Sequence, residues 1–185
     1  MKAIGAFAFA TAVVLLAPAT SRAESGSVEL LISTTSVLAS VQLGDTTVTS
    51  RSGSGTITFI KSSGGPFAEG ASGTAQFASF SKKSPTGFEL EADGVVTFPS
   101  EDILLLLFKR RTGDLAAGSS GEGTLQLTGQ AGRFAGVSGQ CKYKVDNLAG
   151  NWQVTIAKCQ WSKESAATRL DSRKFIPALP DPSLR

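Results

Sequence analysis

The sequence predicts an all-β fold, an antiparallel barrel or sandwich, and three observations carry that reading. From residue 24 onward, β-branched and aromatic runs are separated by Gly, Ser, Asp and Pro, the pattern of many short strands joined by turns. There are no heptads, and only Glu164 to Lys174 has the character of a short helix. The chain holds 20 glycines, many of them clustered where the runs end and tight turns or bulges need them.

The first 23 residues stand apart from this pattern. Met1-Lys2 precedes Ala3 to Ala17, which is apolar except for Gly5 and Thr11; Pro18 then breaks the run and Ser21-Arg22-Ala23 closes it. A charged start, an apolar stretch of ~7–15 residues and a small-x-small end mark a secretory signal peptide. A membrane anchor needs ~20 apolar residues. We expect cleavage after Ala23, export to the periplasm or the extracellular space, and no membrane span in the mature chain. Of 185 residues, 23 leave and 162 remain, enough for one domain with a core. That domain is a β-barrel over 24–163, followed by a helix and extended tail over 164–185.

The strands follow in order. Val28 to Thr35 and Val37 to Leu43 read as two, then Gly44-Asp45 turns and Thr46 to Ser50 resumes. Gly55 to Lys61 alternates, with Ile57 and Phe59 on one face, and Ser62 to Pro66 is a loop. Thr74 to Lys82 and Gly87 to Asp93 are strands, Asp93-Gly94 is a turn dipeptide, and Val95 to Phe98 runs to Pro99. Ile103 to Phe108 does not alternate, so both faces should be dry. Its outer face then needs the C-terminal tail or a second subunit, which makes this strand the candidate homo-oligomer contact. Gly113 to Gly121 is a loop, and Thr124 to Thr128, Gln140 to Asp146 and Trp152 to Trp161 complete the set. "FIPALPDPSLR" carries three prolines and should run extended.

"GQAGRFAGVSGQCKYKV", Gly129 to Val145, concentrates the local signals. Its spacing matches neither a dinucleotide fingerprint nor a phosphate loop, and a strand rather than a helix follows. Gly65 to Gly73, "GPFAEGASG", repeats Gly132 to Gly139, "GRFAGVSG", with one residue deleted. Gly65, Gly70, Gly73, Gly129, Gly132, Gly136 and Gly139 are therefore read as structural turns used twice, with Phe134 and Val137 as small core plugs. Past them come the two cysteines of the chain, an even pair that in an exported protein reads as a disulfide. A turn at Asn147 to Asn151 whose register centres on Gly150 sets Cys141 opposite Cys159, Tyr143 opposite Ala157 and Val145 opposite Thr155.

Several chemistries are excluded or left without a constellation. The chain has no histidine, which removes Ser-His-Asp and Cys-His catalysis, His-ligated zinc and the usual neutral-pH base. Without Lys2 and Arg22 the mature chain holds 16 basic and 15 acidic residues, a net of +1. Its largest basic cluster, Lys109-Arg110-Arg111, reads as a strand end reaching water, so no nucleic-acid partner is expected. Glu89, Glu91 and Asp93 share one strand face, either solvated or, if inward, an acid–base pair. Glu101-Asp102 and Asp114 lack calcium-loop spacing. No catalytic residue, metal or cofactor is assigned, and the reading leans away from an enzyme. Of the strand aromatics, Phe59, Phe77, Phe88, Tyr143 and Trp152 are the candidate ligand-binding residues, because a closed barrel can hold side chains or one small ligand.

"GEGTLQLTGQAGRFAGVSGQCKYKVDNLAGNWQVTIAKCQW", Gly121 to Trp161, resembles small bacterial exported proteins related to the allene oxide cyclase-like barrel, whose late strands carry a similar Gly-rich turn. "GVVTFPSEDILLLLFKR" is similar to the strand pair before that turn. The resemblance covers roughly the last two-fifths of the mature chain. It implies a calycin-like antiparallel barrel of about eight strands around an apolar cavity, often oligomeric. No catalytic position carries over residue by residue. The expected function is an exported, non-enzymatic barrel that binds a small apolar or lipid-like molecule or serves an envelope role. One alternative is a cyclase or isomerase acting on an apolar substrate; another is a structural or adhesive module assembling through Ile103 to Phe108.

Overall fold

In the computed structural model, which describes residues 24–164, eight antiparallel strands form a closed barrel. They are β1 (Glu24–Leu43), β2 (Thr46–Ser62), β3 (Ser72–Ser84), β4 (Gly87–Thr97), β5 (Ile103–Arg110), β6 (Ser120–Ala131), β7 (Val137–Asn147) and β8 (Trp152–Lys163). Each strand pairs with the next in sequence, and β8 returns to β1 from Glu24↔Lys163 to Thr35↔Trp152. Closure leaves no exposed edge along the paired length. The signal peptide expected at 1–23 and the helix and tail expected beyond Glu164 lie outside the described residues.

Period-two alternation places one face of every strand inside. Leu30, Ile57, Val96, Leu104, Leu125, Leu127 and Ala157 are fully buried in the interior. The outward rows are mostly Ser, Thr, Lys and Glu. Apolar-in and polar-out is the reverse of a lipid-facing barrel. Glu89, Glu91 and Asp93 belong to the outer row and are exposed. Glu89 pairs with Arg111, and Glu91 lies 3.4 Å from Lys109.

Three breaks expected from sequence are absent, which brings the count to eight strands. β1 runs unbroken through Ser36, β2 through Arg51-Ser52-Gly53-Ser54, and β4 through Asp93-Gly94. An Asp-Gly pair turns readily when only one strand neighbours it. Here Gly94 is paired on both sides, with Phe77 of β3 and Leu106 of β5, and the two ladders hold it extended. Local propensity yields to closure. On β5, Leu104 and Leu106 point inward and are buried. Leu107 of the outer row is 42% exposed, so only one face of this strand is dry among the described residues.

One end of the barrel is plugged by aromatic rings, and the repeated Gly-x-Phe-Ala segments build the plug. The loop between β2 and β3 delivers Phe67, and the 3-10 turn Gly132–Phe134 between β6 and β7 delivers Phe134. Their ring centroids lie 5.3 Å apart. Phe59 sits 5.2 Å from Phe67, Phe98 sits 5.1 Å from Phe134, and Trp161 packs 5.4 Å from Phe67. Burying each of these side chains is worth roughly 1.5–3 kcal/mol.

Glycine is required at Gly132, where φ is 62° and a Cβ would fall 1.8 Å from Asp102 Oδ1. Asp102 is buried, accepts the Arg133 backbone N–H at 2.7 Å and a hydrogen bond from Ser100, and lies 3.2 Å from Arg133 Nε. The Ser100 hydrogen bond foremost, then the backbone and charge of Arg133, holds its carboxyl below the usual range against the opposing effect of burial. The Arg133 guanidinium in turn covers the rings of Phe98 and Phe134 at 5.4 and 4.9 Å. Of the other expected turn glycines, Gly65, Gly70 and Gly136 take positive φ. Gly73, Gly129 and Gly139 instead lie within strands or beside their ladders, where adjacent backbone crowds the Cβ position.

The hairpin of β7 and β8 has the register the cysteine spacing predicts: Cys141↔Cys159, Tyr143↔Ala157 and Val145↔Thr155. Cys141 and Cys159 form a disulfide on the barrel's inner face, both buried.

Candidate functional site

Away from the aromatic plug the interior is not completely filled. A recess of about 630 Å³, counting its opening to solvent, is lined by residues of β1 to β5, β7 and β8. It is narrow: only about 70 Å³ admits the centre of a water molecule, so a guest must be slim. Ile32, Val96, Leu106 and Phe108 form apolar wall, and Ala75, Ser79, Ala92 and Gly94 leave the space by being small.

Two arginines share this recess. Arg51 projects inward from β2 and is 5% exposed; Arg110 projects inward from the end of β5 and is 2% exposed. Neither forms an ion pair with a carboxylate among the described residues. Nε and Nη1 of both guanidinium groups are buried without a hydrogen-bond partner. Arg110 Nη2 donates to the Asp114 carbonyl at 3.1 Å, and its guanidinium lies 4.9 Å over the Phe88 ring. Burial lowers both pKa values; the charge of Arg110 lowers that of Arg51 further, whereas Tyr143 and Asp114 oppose the fall at Arg110. Arginine nonetheless stays protonated. The recess therefore holds two buried positive charges, neither in an ion pair among the described residues, and burial of such a charge costs several kcal/mol per ion.

Local structure holds these groups in place. Gly121 and Gly123 lie on the inward face of β6, beside Arg110 and Tyr143: a Cβ on Gly123 would come within 2.7 Å of the Tyr143 ring and 2.3 Å of the Lys109 carbonyl. Tyr143 packs edge-on against Phe108 at 5.4 Å. Burial raises its pKa, against the smaller opposing effect of Arg110. The loop over 111–119, which supplies the Asp114 carbonyl, is tied to β7. Asn147 Nδ2 donates to the Asp114 and Ser119 carbonyls at 3.0 and 3.3 Å, and Gln153 Nε2 donates to Asn147 Oδ1 at 2.6 Å.

The five aromatics singled out from sequence separate into different places. Phe77 and Tyr143 line the recess. Phe59 belongs to the plug, Phe88 lies beneath Arg110, and Trp152 is on the surface, 49% exposed. Sequence reasoning passed over the two arginines. Arg110 looks like part of a basic strand end, yet it shares the parity of Leu104 and Leu106, and only Lys109 and Arg111 face water. Arg51 is followed by Ser-Gly-Ser-Gly, which has no apolar member to mark a face; its inward position is visible only by counting back from Ile57.

Among the described residues no group of three or more acidic or thiol side chains is placed to hold a metal ion, and no helix is long and apolar enough to cross a membrane. The eight-stranded antiparallel closure is consistent with a calycin-like fold. Comparison with protein-family models, with curated proteins and with solved structures finds no match for the chain.

Proposed function

We propose that this chain is an exported, non-enzymatic barrel that takes one small, slim apolar molecule into the recess. The observation that carries the reading is the recess itself, an apolar-walled space left open by small inward side chains while the other end is plugged. Barrels of about eight strands have room for one small ligand. The disulfide supports an oxidising compartment outside the cytosol. Native mass spectrometry of the protein purified from its own host tests the proposal. A retained mass of lipid-like size, released on denaturation, is the expected result; a bare chain, together with no binding of added C8–C12 amphiphiles, rejects it.

A second reading, an allene oxide cyclase-like isomerase or cyclase, is favoured by Tyr143, a phenol that lines the recess beside a guanidinium. It predicts turnover of an apolar epoxide that disappears in Tyr143→Phe while binding persists. A structural or adhesive role through Ile103 to Phe108 predicts an oligomer that Leu107→Lys converts to monomer.

A further inference from the structure

We propose that the ligand of this recess is an amphiphilic carboxylate, whose head group is held by Arg51 and Arg110 and whose alkyl chain lies along the apolar wall. The inference rests on the ligand-binding reading and specifies the chemistry of the guest. Its warrant is an unmet requirement of the barrel. A guanidinium removed from water needs both hydrogen-bond acceptors and opposite charge. Arg51 and Arg110 are more than nine-tenths buried and line one recess, and each leaves Nε and Nη1 without an acceptor. The carboxylate nearest Arg110 in sequence is already engaged: Asp114 pairs with Lys83 and accepts the backbone N–H groups of Leu115 and Ala116. A single carboxylate supplies acceptor lone pairs to both arginines at once and neutralises part of their mutual repulsion.

The surroundings argue for an amphiphile rather than a free small anion. Deeper in the recess, toward the plug, Ile32, Ala75, Val96 and Leu106 offer contact to methylene groups, and the polar lining, Thr34, Ser79, Tyr143 and Thr155 among it, carries no formal charge to compete with the arginines. A head-group clamp at one level and an apolar wall beyond it is the arrangement that discriminates a fatty-acid-like chain from its neutral analogue. The wall recognises either molecule; the clamp recognises the charge.

Calorimetric titration of the full mature chain with decanoate, 1-decanol and acetate tests this, alongside Arg51→Met and Arg110→Met. Decanoate should bind at least about tenfold more tightly than decanol and than acetate, the ratio set by a charge-assisted hydrogen bond and by the buried chain respectively. Each methionine variant should lose about tenfold or more for decanoate and leave decanol unchanged. Equal binding of decanoate and decanol, with both measurable, overturns the clamp and leaves the apolar reading standing. Acetate as tight as decanoate overturns the amphiphile. No binding of any probe removes both readings. A second measurement guards against loss of folding: with no ligand present, Arg51→Met should melt at or above the parent temperature, because an unpaired buried charge has been replaced by an apolar chain of similar length. A marked fall in melting temperature, with decanoate affinity kept, identifies Arg51 as a structural residue and refutes its role as a clamp.

Discussion

Phe134→Ala should be the most damaging single truncation in the closed half of the barrel, and its partner is Phe67→Ala. Both side chains are fully buried, 0% and 1% exposed, and neither lies in a strand. Each reaches the plug from a loop, so the barrel ladders can survive without it. Truncating a buried phenylalanine costs about 3–5 kcal/mol, from lost transfer energy and the cavity left behind. For a domain of this size that lowers Tm by roughly 10–20 °C. The two rings are 5.3 Å apart and share Phe59 as a neighbour, at 5.2 and 6.0 Å. They should therefore be coupled: the double variant should differ from the sum of the singles by about 0.5–3 kcal/mol. Urea unfolding followed by tryptophan emission measures all three, since Trp161 packs on Phe67 and reports on the plug directly. Singles within about 1 kcal/mol of the parent, or strict additivity, would refute the claim that the two Gly-x-Phe-Ala loops build one plug.

Other outcomes are equally specific. Replacing Cys141 and Cys159 together with alanine should keep the barrel closed and cost about 3 kcal/mol, the loop-closure entropy of a short hairpin; an unchanged urea midpoint with and without reductant contradicts this. Asp102 has a depressed folded pKa, so its contribution is present above its unfolded value of about 3.9 and is lost as pH falls through the folded value. Asp102→Asn should accordingly lose about 1–3 kcal/mol at neutral pH and flatten the acid limb of a stability–pH curve. Parallel curves for parent and variant would show that the carboxylate is not what holds the loops together. Gly123→Ala should cost about 1–3 kcal/mol by driving a methyl group into the Tyr143 ring and the Lys109 carbonyl; a variant with unaltered stability and tyrosine environment speaks against the packing described.

The strongest local patterns in the chain were legible because they are periodic or paired. Alternation over Gly55 to Lys61 puts Ile57 and Phe59 on one face, and both are buried inside. The cysteine register needed only the midpoint of one hairpin. Where the chain is Ser- and Gly-rich, alternation has nothing to act on, and the expected breaks at Ser36, near Gly53 and at Asp93-Gly94 reflect that. In an open sheet those residues would turn or fray. Ladders on both sides hold Gly53 and Gly94 extended, and pairing with β2 holds Ser36, one residue past the last β8 pair.

By itself, the sequence determined the all-β class, the disulfide pairing and the duplicated turn, because each depends on residues adjacent in the chain or facing across a single hairpin. Only the tertiary structure decided that the two turns send Phe67 and Phe134 into the same end, since their meeting depends on barrel closure and strand stagger. The same is true of Arg51 and Arg110. One precedes a Ser-Gly run and the other is the middle of a basic one, and neither context marks it as interior. They converge because β2 and β5 are separated by only β3 and β4 around the closed barrel, and strand parity carries both side chains into a space that small neighbours leave open.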